Sequence, residues 1–121
     1  MGASWIEYKG KKIWYIDFSN TKNIQETIDV IEVCENMHKT ISEEIYILSN
    51  YRNAYISNEG LQRLKKVAKK YSSHTKKTAT IGIDSNVKKL LFKGYLLFTG
   101  DKSVRIFDNE IDAKEWLIEN R

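Results

Sequence analysis

The chain opens with two runs in which polar and apolar residues alternate. Ser4 to Tyr8 and Lys12 to Phe18 are rich in aromatic and β-branched residues, and Lys9-Gly10-Lys11 between them predicts a hairpin. In the second run Ile13, Tyr15 and Asp17 share one face while Trp14, Ile16 and Phe18 share the other, so apolar residues on both faces predict a strand inside a sheet. The period then lengthens. Asn23 as an N-cap with Glu26 closing a capping box, followed by Ile24, Ile28, Ile31 and Met37 or Ile41, predicts a long amphipathic helix ending near Thr40.

Glu44 to Leu48 holds a short continuous apolar run, as expected of a buried parallel strand. Ser57 predicts the cap of a second helix, with Leu61, Leu64, Val67 or Ala68, and Tyr71 on one face. Thr78 to Ile83 predicts a fourth strand. Ser85 then predicts a third helix through Leu90 and Leu91 toward Tyr95 to Phe98, stopped by Gly100. Ser103 to Phe107 predicts a fifth strand, and Asp108 or Asn109 the cap of a last helix through Ile111, Ala113, Trp116 and Leu117. The order is ββαβαβαβα. Strands alternating with helices of this length require crossover connections, so the expectation is an α/β fold with a mixed, largely parallel five-stranded sheet whose N-terminal hairpin supplies an antiparallel edge. Residues 1–121 contain no proline, repeat or low-complexity linker and are expected to form a single domain.

Composition narrows the class. The hydrophobic fraction of 41% and charged fraction of 30% are those of a globular protein rather than a disordered or membrane-embedded one. The longest apolar candidate, Leu90 to Phe98, is interrupted by Lys93 and Gly94 and falls short of the roughly 18 residues a membrane span requires. Residues 1–7 lack the basic-then-apolar pattern of a signal peptide, and Ile6 stands where a myristoylation motif requires Ser or Thr. A cytoplasmic location is the expectation. Cys34 is the only cysteine, which excludes an internal disulfide and a thiolate zinc cluster. No metal or other cofactor is expected.

Three features carry candidate chemistry. Cys34 and His38 stand at i and i+4, the spacing at which a thiol and an imidazole can touch, yet Cys34 falls on the apolar face with Val30 and Met37, and core packing is the favoured reading. His74 follows Ser72-Ser73 at a helix end and reads as a capping charge. Between Gly60 and Ile83 lie Arg63, Lys65, Lys66, Lys69, Lys70, Lys76 and Lys77 with no acidic residue among them. Arg63, Lys66, Lys69 and Lys70 are therefore a candidate docking face for an acidic protein or anionic lipid, weighed against a solvated helix surface. Nucleic acid is disfavoured, because the sequence has no single-strand-binding motif with regularly placed stacking aromatics. Lys102-Ser103 lacks the glycine that a phosphate loop places before its lysine, and no residues assemble a catalytic set, so no enzymatic activity is expected.

Gly60 sits in the first turn of the second helix, where glycine costs about 1 kcal/mol relative to alanine, which predicts a close approach to the backbone at that turn.

The order of elements, together with Tyr8-Lys9-Gly10-Lys11-Lys12-Ile13, Ser57-Asn58-Glu59-Gly60-Leu61 and Asp112-Ala113-Lys114-Glu115-Trp116-Leu117, resembles the sulfate-transporter and anti-sigma-factor-antagonist (STAS) superfamily over nearly the whole chain. It is most similar to short stand-alone proteins of the stage II sporulation antagonist-like (SpoIIAA-like) group, which are related in fold to lipid-binding Sec14-type domains. In the antagonists the corresponding turn reads Asp-Ser-Ser-Gly-Leu, and a partner kinase phosphorylates its second serine. Aligned on Gly60-Leu61, that serine falls on Glu59, the first serine on Asn58 and the aspartate on Ser57. The phosphorylation switch does not carry over at Glu59, which places a permanent charge where a helix dipole favours it. Gly60 matches the family and is expected to keep the turn open to a partner.

The resemblance implies a non-enzymatic regulatory module that binds a protein partner through Tyr55, Ser57, Asn58, Glu59 and Gly60, with Tyr55 as an aromatic anchor. Ser57 is the nearest candidate phosphoacceptor, although an N-cap is the favoured role for a serine there. The alternative is a carrier of a small apolar ligand or lipid, which requires a cavity, with Trp5, Trp14, Tyr46, Tyr51 and Tyr55 as candidate lining. Association with a second copy of the chain stays open.

Overall fold

A computed structural model describes residues 1–86, 88–89, 92–93 and 103–121. β1 (Gly2–Tyr8) and β2 (Lys11–Asp17) form the antiparallel hairpin, turning at Lys9 and Gly10, both at positive φ (49° and 79°). β3 (Ile45–Asn50), β4 (Thr75–Ile81) and β5 (Val104–Ile106) follow in parallel, giving one sheet in the order β1-β2-β3-β4-β5. β2 is an inner strand with apolar contacts on both faces, as its sequence requires. The third strand runs two residues further than its apolar run, and the fourth starts three residues earlier than expected, because Thr75-Lys76-Lys77 joins the ladder beside Ile45 and Tyr46.

Two helices cover one face. α1 (Ile24–Thr40) is capped as expected, with Asn23 Oδ1 accepting from the Glu26 backbone N–H at 3.0 Å. The Glu26 carboxylate reaches back to the Lys22 N–H at 2.8 Å. α2 (Asn58–Lys70) is capped by Ser57. The core beneath them joins Trp14, Ile16 and Ile47 of the sheet to Val30, Ile31 and Cys34 of α1 and to Leu61 of α2. The opposite face packs Ile13, Leu48, Ala79 and Ile81 against Ala113 and Leu117 of a C-terminal helix, Glu110–Ile118, capped by Asn109. Ile111, expected on the buried stripe of that helix, is 66% exposed, since Ala113 and Leu117 define the inward face.

Ser85 opens a further helical turn, accepting from the Lys88 N–H at 3.2 Å, and Asn86, Lys88, Lys89, Phe92 and Lys93 are helical. The expected continuation through Leu90, Leu91 and Tyr95 to Gly100 lies outside the described residues. Among the described residues no helix is long and apolar enough to cross a membrane.

Candidate functional site

The loops that leave β2, β3 and β4 at their C-terminal ends are tied to one another, and this is the edge of a parallel sheet where α/β folds ordinarily place their binding sites. Asn20 and Asn53 hold left-handed backbones (φ 61° and 55°), the Asn20 N–H donates to the Arg52 carbonyl at 3.0 Å, and Asn53 Nδ2 donates to Asn20 Oδ1 at 3.4 Å. From the third loop Gly82, at φ +84°, lies directly under Arg52, whose backbone N would be 2.4 Å from an added Cβ. Only glycine fits there. The Tyr55 N–H donates to both the carbonyl and the hydroxyl of Thr21, each at 3.0 Å.

This scaffold presents the residues that the sequence selects. Tyr55 is 43% exposed, and Asn58 and Glu59 are exposed beside it in the first turn of α2. Ser57 Oγ accepts from the Gly60 N–H at 3.1 Å, so the hydroxyl serves as the helix cap. Gly60 departs from its expected role. It is buried, facing α1, and a Cβ there would meet Thr27 Cγ2 at 3.4 Å and Ile24 Cδ1 at 3.5 Å. The close approach that its sequence position predicts is therefore made by α1, and the turn exposes Tyr55, Asn58 and Glu59 rather than the Gly60 backbone. Arg63, Lys66, Lys69 and Lys70 are exposed along α2, whereas Lys65, one turn after Leu61, is only 8% exposed.

A second feature lies under the C-terminal half of α2. A cavity of about 310 Å³ is bounded by the sheet, Leu64, Ala68 and Lys69 of α2, and Phe92. Its floor comes from Ile47, Thr78 and Val104 of one cross-strand row and Ile16, Ser49 and Thr80 of the next, rows that turn from apolar to hydroxyl-bearing as they cross from β2 to β4. At one end of the cavity His38, 5% exposed, shares a hydrogen bond between its Nδ1 and His74 Nε2 at 2.7 Å and stacks on Tyr71 with ring centroids 4.6 Å apart. Burial, and secondarily the neighbouring His74, push the His38 pKa down to about 4. His74, read from its place at a helix end as a capping charge, is thus a ring partner of His38.

The i, i+4 pair is separated in chemistry as well. Cys34 is 2% exposed, burial pushes its thiol up to about 11, and His38 is committed to His74. Of the aromatic residues named as candidate lining, Tyr51 reaches the cavity, where its ring meets Phe92 edge-on with centroids 4.7 Å apart. Trp14 belongs to the core and packs against Trp5 at 5.0 Å, while Tyr55 is on the surface.

No family model matches the chain, and no curated protein matches it. A solved structure does: an uncharacterised protein of the DUF3478 family from Shewanella loihica PV-4, described as having a SpoIIAA-like fold, superposes with a TM-score of 0.73. The alignment covers 96% of this chain and 92% of that one at 15% sequence identity. The fold is SpoIIAA-like. At that identity the similarity bears on the fold alone, which is the fold implied by the order of elements and by the three stretches quoted above.

Within this SpoIIAA-like frame the sequence exposes the α2 turn but hides three groups that the structure brings together. The hydroxyl rows are visible in retrospect as Thr78 and Thr80 alternating with Ala79 and Ile81. The His38–His74 pair joins residues 36 apart in sequence, and the Asn20–Asn53 pair residues 33 apart, with no local signal for either.

Proposed function

We propose that the protein is a non-enzymatic regulatory module that binds a protein partner on the rim formed by Tyr55, Ser57, Asn58 and Glu59. The observation that carries this reading is the pre-organised Tyr55, a 43% exposed aromatic ring whose backbone is held by two hydrogen bonds to Thr21. A backbone fixed before binding loses little conformational freedom when the aromatic ring it carries meets a partner. Glu59 adds a constant negative charge at the N-terminus of α2, where the antagonists it resembles carry a switchable serine. A partner with a basic patch suits it.

A non-enzymatic role is supported by the burial of Cys34 and by the mutual engagement of His38 and His74. A second reading, a binder of small ligands, is supported by the cavity of about 310 Å³.

The first reading is tested by a nuclease-treated pull-down from native-host lysate with wild type and Glu59→Lys. The expected result is a protein retained by the wild type and lost by the variant, whose thermal stability stays close to that of the wild type. Equal retention by both would contradict the proposal.

A further inference from the structure

We infer that the cavity between the sheet and α2, where Ser49, Thr78 and Thr80 face Leu64 and Phe92, is a binding site for a small organic carboxylate. The site uses none of the rim residues and stands independently of the docking proposal.

The first argument is the polarity of the floor. A sheet face covered by helices is ordinarily apolar, and this one is apolar at Trp14, Ile16 and Ile47. The next residues along the same rows are hydroxyl-bearing. Ser49 and Thr80 are 4% and 2% exposed, and the hydrogen bonds among the described residues do not include either hydroxyl. Among the described residues the fully enclosed side-chain polar atom without a partner is Trp14 Nε1 and neither of these hydroxyls, so both open onto the cavity. Hydroxyls in these positions offer donors to whatever occupies the cavity.

Charge selects the class of occupant. The described lining contains no Asp or Glu, while it includes the cationic Lys69; His38, its pKa held down to about 4 and its ring engaged with His74, adds no charge near neutral pH. Among the described lining residues a cation would meet no carboxylate. An anion meets hydroxyl donors on the floor and a lysine at the edge, and a carboxylate can accept from several donors at once.

Volume selects the size. At roughly 30 Å³ per water-sized group, a cavity of about 310 Å³ accommodates on the order of ten non-hydrogen atoms. That is the size of an arylacetate or short-chain acid and well below that of a long-chain lipid. The Tyr51–Phe92 edge contact and the Leu64 and Ile47 side chains supply an apolar wall for the body of such a molecule.

The test is an amide-detected NMR titration with phenylacetate, and with its neutral isostere phenylacetamide, on wild type, Thr80→Val, Ser49→Ala and Glu59→Lys. The expected result is a saturable response centred on Ser49, Thr78 and Thr80. Phenylacetate should bind about tenfold more tightly than the amide, and either hydroxyl deletion should weaken it by about tenfold, the effect of losing one hydrogen bond to a charged group. Thr80→Val keeps the shape of the side chain, and Ser49→Ala serves if that variant fails to fold. Glu59→Lys should bind phenylacetate like the wild type, which separates this site from the rim. The inference is overturned if phenylacetate gives no saturable response, if the amide binds equally well, if the hydroxyl deletions leave affinity unchanged, or if the response maps to Arg63, Lys66 and Lys70 instead.

Discussion

Asn20 and Asn53 face each other across two loops, both with left-handed backbones, and the Asn53 amide donates to the Asn20 side-chain oxygen at 3.4 Å. Asparagine tolerates this backbone far better than most residues, and here the Asn20 N–H is tied to the Arg52 carbonyl while Asn53 is linked to Asn20 through its side-chain amide. Asn53→Ala is expected to destabilise the protein by about 1–2 kcal/mol in urea denaturation, and Asn53→Gly to recover most of that loss. If alanine is as stable as asparagine, the left-handed backbone is not a constraint on the rim.

The two glycines beside this rim should respond in opposite ways. Gly82→Ala combines a positive φ with a Cβ 2.4 Å from the Arg52 backbone nitrogen, and a loss of at least about 2 kcal/mol is expected. Gly60→Ala places its Cβ at ordinary contact distances of 3.4 to 3.5 Å from α1 and Ser57, so stability should be unchanged or higher by up to about 1 kcal/mol. Thermal or urea melts of the two variants decide this, and a severely unstable Gly60→Ala would mean that α1 cannot yield to a methyl group.

How much of this was legible in the sequence depends on the range of the signal. Caps are local, and Asn23, Ser57, Ser85 and Asn109 all cap the turns their sequences predict. Strand ends were less legible, because Thr75-Lys76-Lys77 reads as a polar loop until Ile45 and Tyr46 are beside it. The turn at Tyr55 to Glu59 could be selected from its local pattern and resemblance. The burial of Gly60 could not, because it depends on Ile24 and Thr27, more than thirty residues away. The cavity was least legible. A threonine in a strand is ordinary, and only the alignment of Ser49 with Thr80 across two strands makes a polar row.

The histidine pair gives stability a pH dependence. Unfolded His38 takes up a proton near 6.5, whereas the folded ring does so only near 4, because burial and His74 oppose its charge. In that window the unfolded chain binds more protons, so stability is full above about pH 6.5 and falls as the pH drops toward 4, by on the order of 3 kcal/mol. His38→Phe, which keeps a ring against Tyr71, should remove most of this slope in urea melts collected across the window. An unchanged slope would assign the effect to other groups.

Cys34 should be inert in the native protein. A thiol pushed from 9.0 to about 11 has roughly a hundredth of the thiolate at neutral pH, and its 2% exposure limits access further. Iodoacetamide is expected to label it at least about a hundredfold more slowly in buffer than in denaturant. Rapid native labelling would restore Cys34 as a candidate nucleophile.

The docking proposal is tested most directly by a photo-crosslinking amino acid placed at Tyr55, with Val33 as the control position. Val33 lies on α1 and is comparably exposed, at 44% against 43%, without belonging to the rim. Irradiation in host cells is predicted to yield one dominant crosslinked protein from position 55 that is absent from position 33 and lost when Glu59→Lys is added. The same products from both positions, or a crosslink at 55 that survives Glu59→Lys, would contradict a partner site on this rim.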